Sequence, residues 1–277
     1  MASRMDISYL GPQATFTHQA AWRAFGEGVE YIPAETIDDV FTAVQEGEAH
    51  RGVVPVENSN EGVVTSTMDL LVDSTLVITG EVILPIRLML LSREKDIRGI
   101  VKVYSHPQPF AQCRHWLRKN LRGAAFVDAR STAEAAAFCL SQEGTAAVAG
   151  AMASQFYGIP TLVENIGDWE ENLTRFLVFS THPTASSGND KTSLVFSIKD
   201  KVGALYEILR PFGEAGINLT KIESRPSKKK AWDYVFFIDL EGHKDDSAVR
   251  DALRKLEKMC MFMKVLGSYP KGTVEGK

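Results

Sequence analysis

Residues 76–91 favour β-structure almost without interruption. The run is too long for one ordinary strand. A run of that kind stays extended by leaving one sheet partway along and entering another. It therefore predicts two sheets, and with them two lobes joined by a passing strand. Residues 173–180 have the same character and lie where a return crossing is needed.

Around these two runs, apolar β-rich stretches alternate with helical spacing, the pattern of an α/β architecture. Residues 7–10, 31–33, 52–56, 101–104 and 124–127 read as strands; 15–25, 37–45, 110–119 and 132–140 read as helices. Residues 181–190 are rich in Ser, Thr, Gly, Asn and Pro, as linkers are. That divides the chain into a first region at 1–181, a linker at 182–190 and a second unit at 191–277. In the second unit 192–198, 204–212, 217–223, 232–240, 247–259 and 263–267 spell βαββαβ. That order predicts a ferredoxin-like sandwich with a bare sheet face and open strand edges, suited to self-association. Lys228-Lys229-Lys230 reads as a solvated hairpin tip.

The charge balance, 31 basic against 35 acidic residues, gives no electrostatic reason for a nucleic-acid or anionic-membrane partner. No apolar run approaches the roughly 18 residues that span a bilayer. Met1-Ala2-Ser3-Arg4-Met5-Asp6 leads straight into a strand, so no signal peptide is expected and the location reads as cytoplasmic. Cys113, Cys139 and Cys260 are widely spaced without a CxxC, and the six histidines show no HExxH. Neither a disulfide framework nor a metal site is expected. No GxGxxG follows a strand and no GxxxxGK[ST] occurs, which leaves dinucleotide and P-loop chemistry without support.

Four segments carry more polar and glycine content than their neighbours need. Gly11-Pro12-Gln13-Ala14-Thr15-Phe16-Thr17 is a turn into a helix, whose N–H groups and dipole suit an anion, or whose Thr15 is simply an N-cap. Val54-Pro55-Val56-Glu57-Asn58-Ser59 ends a buried strand, where open α/β sheets bind ligands, or forms an ordinary turn. Ser105-His106-Pro107-Gln108 with Gln112-Cys113 opens a helix; a capped helix start suits it better than a Ser–His pair. In Asp168-Trp169-Glu170-Glu171-Asn172-Leu173-Thr174-Arg175-Phe176, Arg175 suits two-point binding of a carboxylate, or pairs with a nearby acid such as Glu170. In an alternating strand Thr174 and Arg175 point to opposite faces, so both reaching one ligand requires a bulge or a strand end.

Together and in this order, the four segments resemble the prephenate dehydratase family over nearly the whole chain. The second unit resembles an ACT domain, through Gly203-Ala204-Leu205-Tyr206-Glu207-Ile208-Leu209 and Glu223-Ser224-Arg225-Pro226. One departure is Ala14, where the family usually has glycine; the methyl tightens the first turn but touches no proposed catalytic group. The resemblance implies a two-lobed region like the type 2 periplasmic binding proteins, with the site between the lobes. It implies a lyase that converts prephenate to phenylpyruvate, carbon dioxide and water on the route to phenylalanine. No extra helical domain of the chorismate mutase kind precedes the first strand, so a monofunctional enzyme is expected. Thr174 then contacts the leaving hydroxyl, Asn58, Ser59 and Gln112 orient the substrate, Arg175 serves a carboxylate, and Glu57 is a further member. Gln13, Thr15 and Phe176 line the substrate. The reaction needs no cofactor, because aromatisation supplies the driving force. Gly203, Ala204, Leu205, Asn218, Leu219, Glu223 and Ser224 are implied to bind L-phenylalanine between paired ACT domains of a homodimer or homotetramer. An arogenate dehydratase and a non-catalytic two-lobed solute sensor are the rival expectations.

Overall fold

The computed structural model describes residues 5–199, 201–227 and 234–274. In the first lobe β1 (Asp6–Leu10), α1 (Phe16–Phe25), β2 (Glu30–Ala34), α2 (Ile37–Gln45), β3 (Arg51–Asn58), β4 (Gly62–Val63), α3 (Thr65–Asp73) and β5 (Val77–Pro85) follow one another. The chain then leaves for a second lobe made of β6 (Met89–Ser92), β7 (Lys102–Ser105), α4 (Pro107–Gln112), α5 (Arg114–Asn120), β8 (Ala125–Asp128), α6 (Thr132–Ser141), β9 (Thr145–Ala149), α7 (Ala151–Tyr157) and β10 (Thr161–Val163). It returns as β11 (Leu173–Ser180), which inserts between β3 and β5 to give the order β2-β1-β3-β11-β5, with β4 on β3. The second sheet runs β10-β6-β9-β7-β8. The run 76–91 is thus two strands in two sheets, broken at Ile86-Arg87-Leu88, and 173–180 is the return crossing.

The remaining elements are β12 (Asp190–Ser197), α8 (Ala204–Glu214), β13 (Leu219–Pro226), β14 (Tyr234–Glu241), α9 (Ser247–Glu257) and β15 (Phe262–Pro270), in the sheet order β13-β14-β12-β15. This is the expected βαββαβ sandwich. Helices α8 and α9 cover one face through Ile208, Phe212, Val249, Leu253 and Leu256. The other face is not bare, contrary to expectation. Val195, Val235, Phe237, Leu266 and Tyr269 pack into one core with Val40, Phe41, Leu71, Leu177 and Phe179 of the first lobe. Both faces of β12 and β14 are apolar, so each needs a cover, and the first lobe supplies the second one. The approach is close at one point: a Cβ on Gly267 would lie 2.2 Å from the carbonyl oxygen of Ile78 on β5.

Two further expectations need correcting. The helix expected over 110–119 is two helices, α4 and α5, broken at Cys113. The carboxylate of Asp168, between β10 and β11, accepts from the N–H groups of His115 (2.8 Å) and Trp116 (3.1 Å) and starts α5 afresh. The segment 181–190 is not a loose linker throughout. Asp190 accepts from the hydroxyls and N–H groups of Ser186, Ser187 and Gly188, which lower its pKa against the opposing effect of burial. Lys228-Lys229-Lys230 lies outside the described residues. No helix among the described residues is long and apolar enough to cross a membrane.

Candidate active site

The two lobes meet at the β1–α1 turn and at the end of the β3–β11 strand pair. Thr15 is the N-cap of α1: its hydroxyl accepts from the N–H of His18 (3.4 Å) and donates to the carbonyl of Pro12 (3.0 Å). Ala14, at φ 66°, turns its buried methyl into the core of the second lobe beside Ala149 and Ala153. This left-handed backbone is the physical reason that glycine suits the position. The ring of Phe16 lies against Gly150 of the second lobe, where a Cβ would come within 2.7 Å of it. Gln13 stays exposed on the turn.

On the other side, Asn58 and Thr174 are paired across β3 and β11. The Asn58 amide nitrogen donates to the Thr174 hydroxyl (2.8 Å) and to Asn172 Oδ1 (2.7 Å). Asn58 Oδ1 accepts from the N–H groups of Asn60 (2.9 Å) and Glu61 (3.1 Å), so all its polar atoms are engaged. Asn172 Nδ2 donates to Gln112 Oε1 (3.0 Å), and Gln112 Nε2 donates to Glu61 Oε1 (3.3 Å). Gln112 is carried by α4 of the second lobe, so this chain of neutral amides bridges both lobes. The Ser59 hydroxyl accepts from the N–H of Leu173 (3.0 Å) and ties the strand ends together. Because Thr174 accepts from Asn58, its own proton is left to point elsewhere, and no protein acceptor takes it among the described residues.

The geometry separates the other proposed members from this cluster. Arg175 and Glu57 form the adjacent rung and face the opposite side of the sheet. The Arg175 guanidinium is saturated by Glu81 (2.6 Å), Glu57 (3.0 Å), Asp239 (2.6 Å) and the Tyr269 hydroxyl (2.8 Å), and is 8% exposed. It therefore has no place in the cleft as a substrate clamp, and its acidic partners are these rather than Glu170. Glu57 is held by Arg175 and by Lys221 of β13. Phe176, 2% exposed, is core against Ile7, Tyr9 and Val82 rather than a substrate contact. The strand alternates Thr174 to one face and Arg175 to the other, and its bulge falls only after Arg175. Asn172 and Glu61 belong to the cluster although neither stood among the expected site residues. Both lie within the polar segments at 57–62 and 168–176, so their composition was the available signal.

His106 caps α4 through Nδ1, and Ser105 donates to the carbonyl of Val148, so neither forms a catalytic pair. Cys113 is buried; burial, with nearby Asp168, pushes its thiol up to about 12. No group of side chains suited to holding a metal occurs among the described residues.

In the second unit Gly203, at φ 78°, starts α8, and Leu205 is exposed beside it while Ala204 is buried. Asn218 is exposed at the start of β13, and Leu219 packs toward the helices. Glu223 faces the first lobe and Ser224 faces outward. A single chain therefore does not gather the seven expected effector residues into one pocket.

Residues 7–184 match the prephenate dehydratase family and residues 192–258 match the ACT domain. A bifunctional chorismate mutase/prephenate dehydratase of Aquifex aeolicus is 50% identical over 99% of this chain and 76% of its own length. A prephenate dehydratase of Bacillus subtilis is 35% identical over 96% of this chain and 98% of its own length. A solved prephenate dehydratase of Arthrobacter aurescens, in complex with L-Phe, superposes with a TM-score of 0.88 at 36% identity, covering 96% of this chain and 90% of that one. With its lobes, its return crossing and its βαββαβ unit all matched in this way, the chain belongs to the prephenate dehydratase family and carries an ACT domain.

Proposed function

We propose that the cleft between the lobes carries out the decarboxylating dehydration of prephenate to phenylpyruvate, carbon dioxide and water. The observation that carries this reading is the Thr174 hydroxyl, held as an acceptor by Asn58 so that its proton is available to a bound substrate. Loss of carbon dioxide pushes electrons into the ring as hydroxide departs from the far end, and aromatisation drives both. The difficulty lies in assisting a poor leaving group. A threonine hydroxyl is too weak an acid to surrender its proton outright, so it donates a hydrogen bond to the departing oxygen while water relays the proton. Positioned assistance of this kind is worth about 10²–10⁴-fold.

The chain of amides Gln112–Asn172–Asn58 orients the substrate through neutral side chains, with the Glu61 carboxylate at its outer end on Gln112. Ser59 keeps β3 and β11 in register for it. The N-terminal end of α1, with Gln13 and Thr15, offers the positive end of a helix dipole to one carboxylate. Closing the lobes over the substrate and the relay water excludes bulk solvent and strengthens these contacts.

Phenylalanine acts on this reading through the ACT domain. Val202, Tyr206 and Ile222 are exposed around the start of α8 and the outer side of β13 (105%, 70% and 48%). A second copy would cover them, and pairing would bring effector residues of two chains together in a homodimer or homotetramer. The location consistent with this chemistry is the cytoplasm.

Purified protein incubated with prephenate and with arogenate, each with and without L-phenylalanine, tests the reading. Phenylpyruvate from prephenate, suppressed by phenylalanine, is expected. Phenylalanine formed from arogenate alone would transfer the activity to that substrate. Ligand binding with no product from either would make the protein a solute sensor.

A further inference from the structure

The cluster proposed to do the chemistry sits on one face of a strand pair whose other face belongs to the ACT domain. Asn58 and Thr174 are one rung of β3–β11; Glu57 and Arg175 are the next, turned the opposite way. ACT residues complete that second rung. Lys221 donates to Glu57, and Asp239 and Tyr269 engage Arg175. Strand β13 alternates strictly here: Lys221, Glu223 and Arg225 are turned inward, while Thr220, Ile222 and Ser224 are exposed. Arg225 donates to the carbonyl of Thr65 (2.9 Å) and pairs with Asp69 (3.2 Å) on α3. At the far end of that helix, Lys264 of β15 donates to the carbonyls of Leu71 (2.8 Å), Val72 (3.0 Å) and Ser74. Three cations of the ACT domain therefore grip residues 57–74, the segment that carries Asn58, Ser59 and Glu61.

We propose that Lys221 is a positioning residue for the dehydration. By holding Glu57 it sets the Asn58–Thr174 rung from behind, so that the ACT domain helps to complete the catalytic centre. This rests on the reading of the cleft given above. Two observations separate such a role from simple domain glue. Glu57 lines an open groove of about 820 Å³ at the end of the β3–β11 pair, together with Ser59, Leu173, Lys221 and Glu223 among others. Glu57 borders this open space on one side, and the side-chain contacts that fix its carboxylate are the two cations Arg175 and Lys221. The contact is also ionic at neutral pH: burial opposes ionisation of Glu57, but Lys221 and Arg175 outweigh it and hold the carboxyl below its ordinary range.

The test is Lys221→Met in the full chain, with Lys221→Arg and Glu57→Gln beside it. A displacement of the reacting groups by a fraction of an ångström costs about 10-fold or more in rate. The expected result is a fall of that size in kcat for phenylpyruvate formation, with KM changed by less than about threefold and most activity recovered in Lys221→Arg. Glu57→Gln should lose as much, and the double variant no more than the worse single one. Amide hydrogen exchange supplies a readout that needs no turnover: residues 57–64 should exchange faster in Lys221→Met while β1 stays as in the wild type. If the wild type does not turn prephenate over, the functional reading fails and exchange alone decides the positioning role. Wild-type kcat with unchanged exchange overturns the proposal. So does a loss that Lys221→Arg does not recover, effects that multiply in the double variant, or faster exchange spread over both lobes. If Lys221→Met does not fold, Lys221→Gln is judged by the same criteria.

Discussion

Asn58 uses both amide N–H groups and its carbonyl oxygen at once, donating to Thr174 and Asn172 and accepting from Asn60 and Glu61. Asn58→Asp keeps the acceptor and removes both donors. The new carboxylate would then draw the Thr174 proton to itself, away from the substrate. We expect kcat to fall by at least about 10², the lower end of what positioned proton assistance contributes. Steady-state kinetics at saturating prephenate check this, and a wild-type kcat would show that the neutral amide is dispensable. His18 is a second residue with a definite electrostatic consequence. Its Nδ1 accepts from the N–H of Ala14 (3.0 Å) and its ring stacks on Tyr9 at 4.7 Å, so the fold requires the neutral imidazole. Burial lowers its pKa below 6.5. The unfolded chain therefore binds its proton first as pH falls, and the contribution of His18 is full above about 6.5 and lost progressively below it, down to the folded pKa. Urea unfolding at pH 7.5 and 5.5 should show a larger loss of midpoint for the wild type than for His18→Phe; equal losses would remove His18 from the account. The sequence displayed Ala14 as a departure from the family but not its positive φ or its burial in the second lobe, because those depend on how the lobes meet.

Among the elements, those with a strong local pattern were legible. The run 76–91 predicted a strand shared between two sheets, and the βαββαβ order of the second unit appears as expected. The elements that escaped notice lack that pattern. Strand β9, Thr-Ala-Ala-Val-Ala, is poor in β-formers and is a strand because it is wholly buried between β6 and β7. The break between α4 and α5 was invisible because Asp168, far along the chain, imposes it. The opposite facing of Thr174 and Arg175 follows from simple alternation, which holds because no bulge falls between them. Element packing also yields a prediction at β15. Gly267 brings two backbones together, and a Cβ there would sit 2.2 Å from Ile78 O and 2.8 Å from Ile78 N. Neither is the end of a flexible side chain, so Gly267→Ala must push β15 off β5. We expect destabilisation of about 1–3 kcal/mol, the usual range for overpacking, with weakened phenylalanine control. Wild-type stability in urea would show that the two sheets slide freely.

On the scale of the whole molecule, the first lobe meets the second lobe on the face of the Asn58–Thr174 rung and meets the ACT domain on the opposite face, at the adjacent Glu57–Arg175 rung. The cleft face meets the second lobe through Gln112, and the rear face meets the ACT domain through Glu57 and Arg175. The rear cluster joins Glu57, Glu81, Arg175, Lys191, Lys221 and Asp239, three acids with three bases, most of them buried. Such a cluster repays its desolvation only while complete, and loss of one member leaves a buried charge unpaired. It was illegible in the sequence because its members are scattered from 57 to 239 and none lies in a local charge pattern. The two-lobed region and the ACT unit were legible; their docking was not. In the proposed mechanism the free proton of Thr174 assists the departure of hydroxide. The most direct test compares Thr174→Val with the wild type for phenylpyruvate formation and, on the same samples, for prephenate binding by calorimetry. We predict that the valine variant binds prephenate within a few-fold of the wild type and forms almost no phenylpyruvate; near-normal turnover would remove Thr174 from the mechanism.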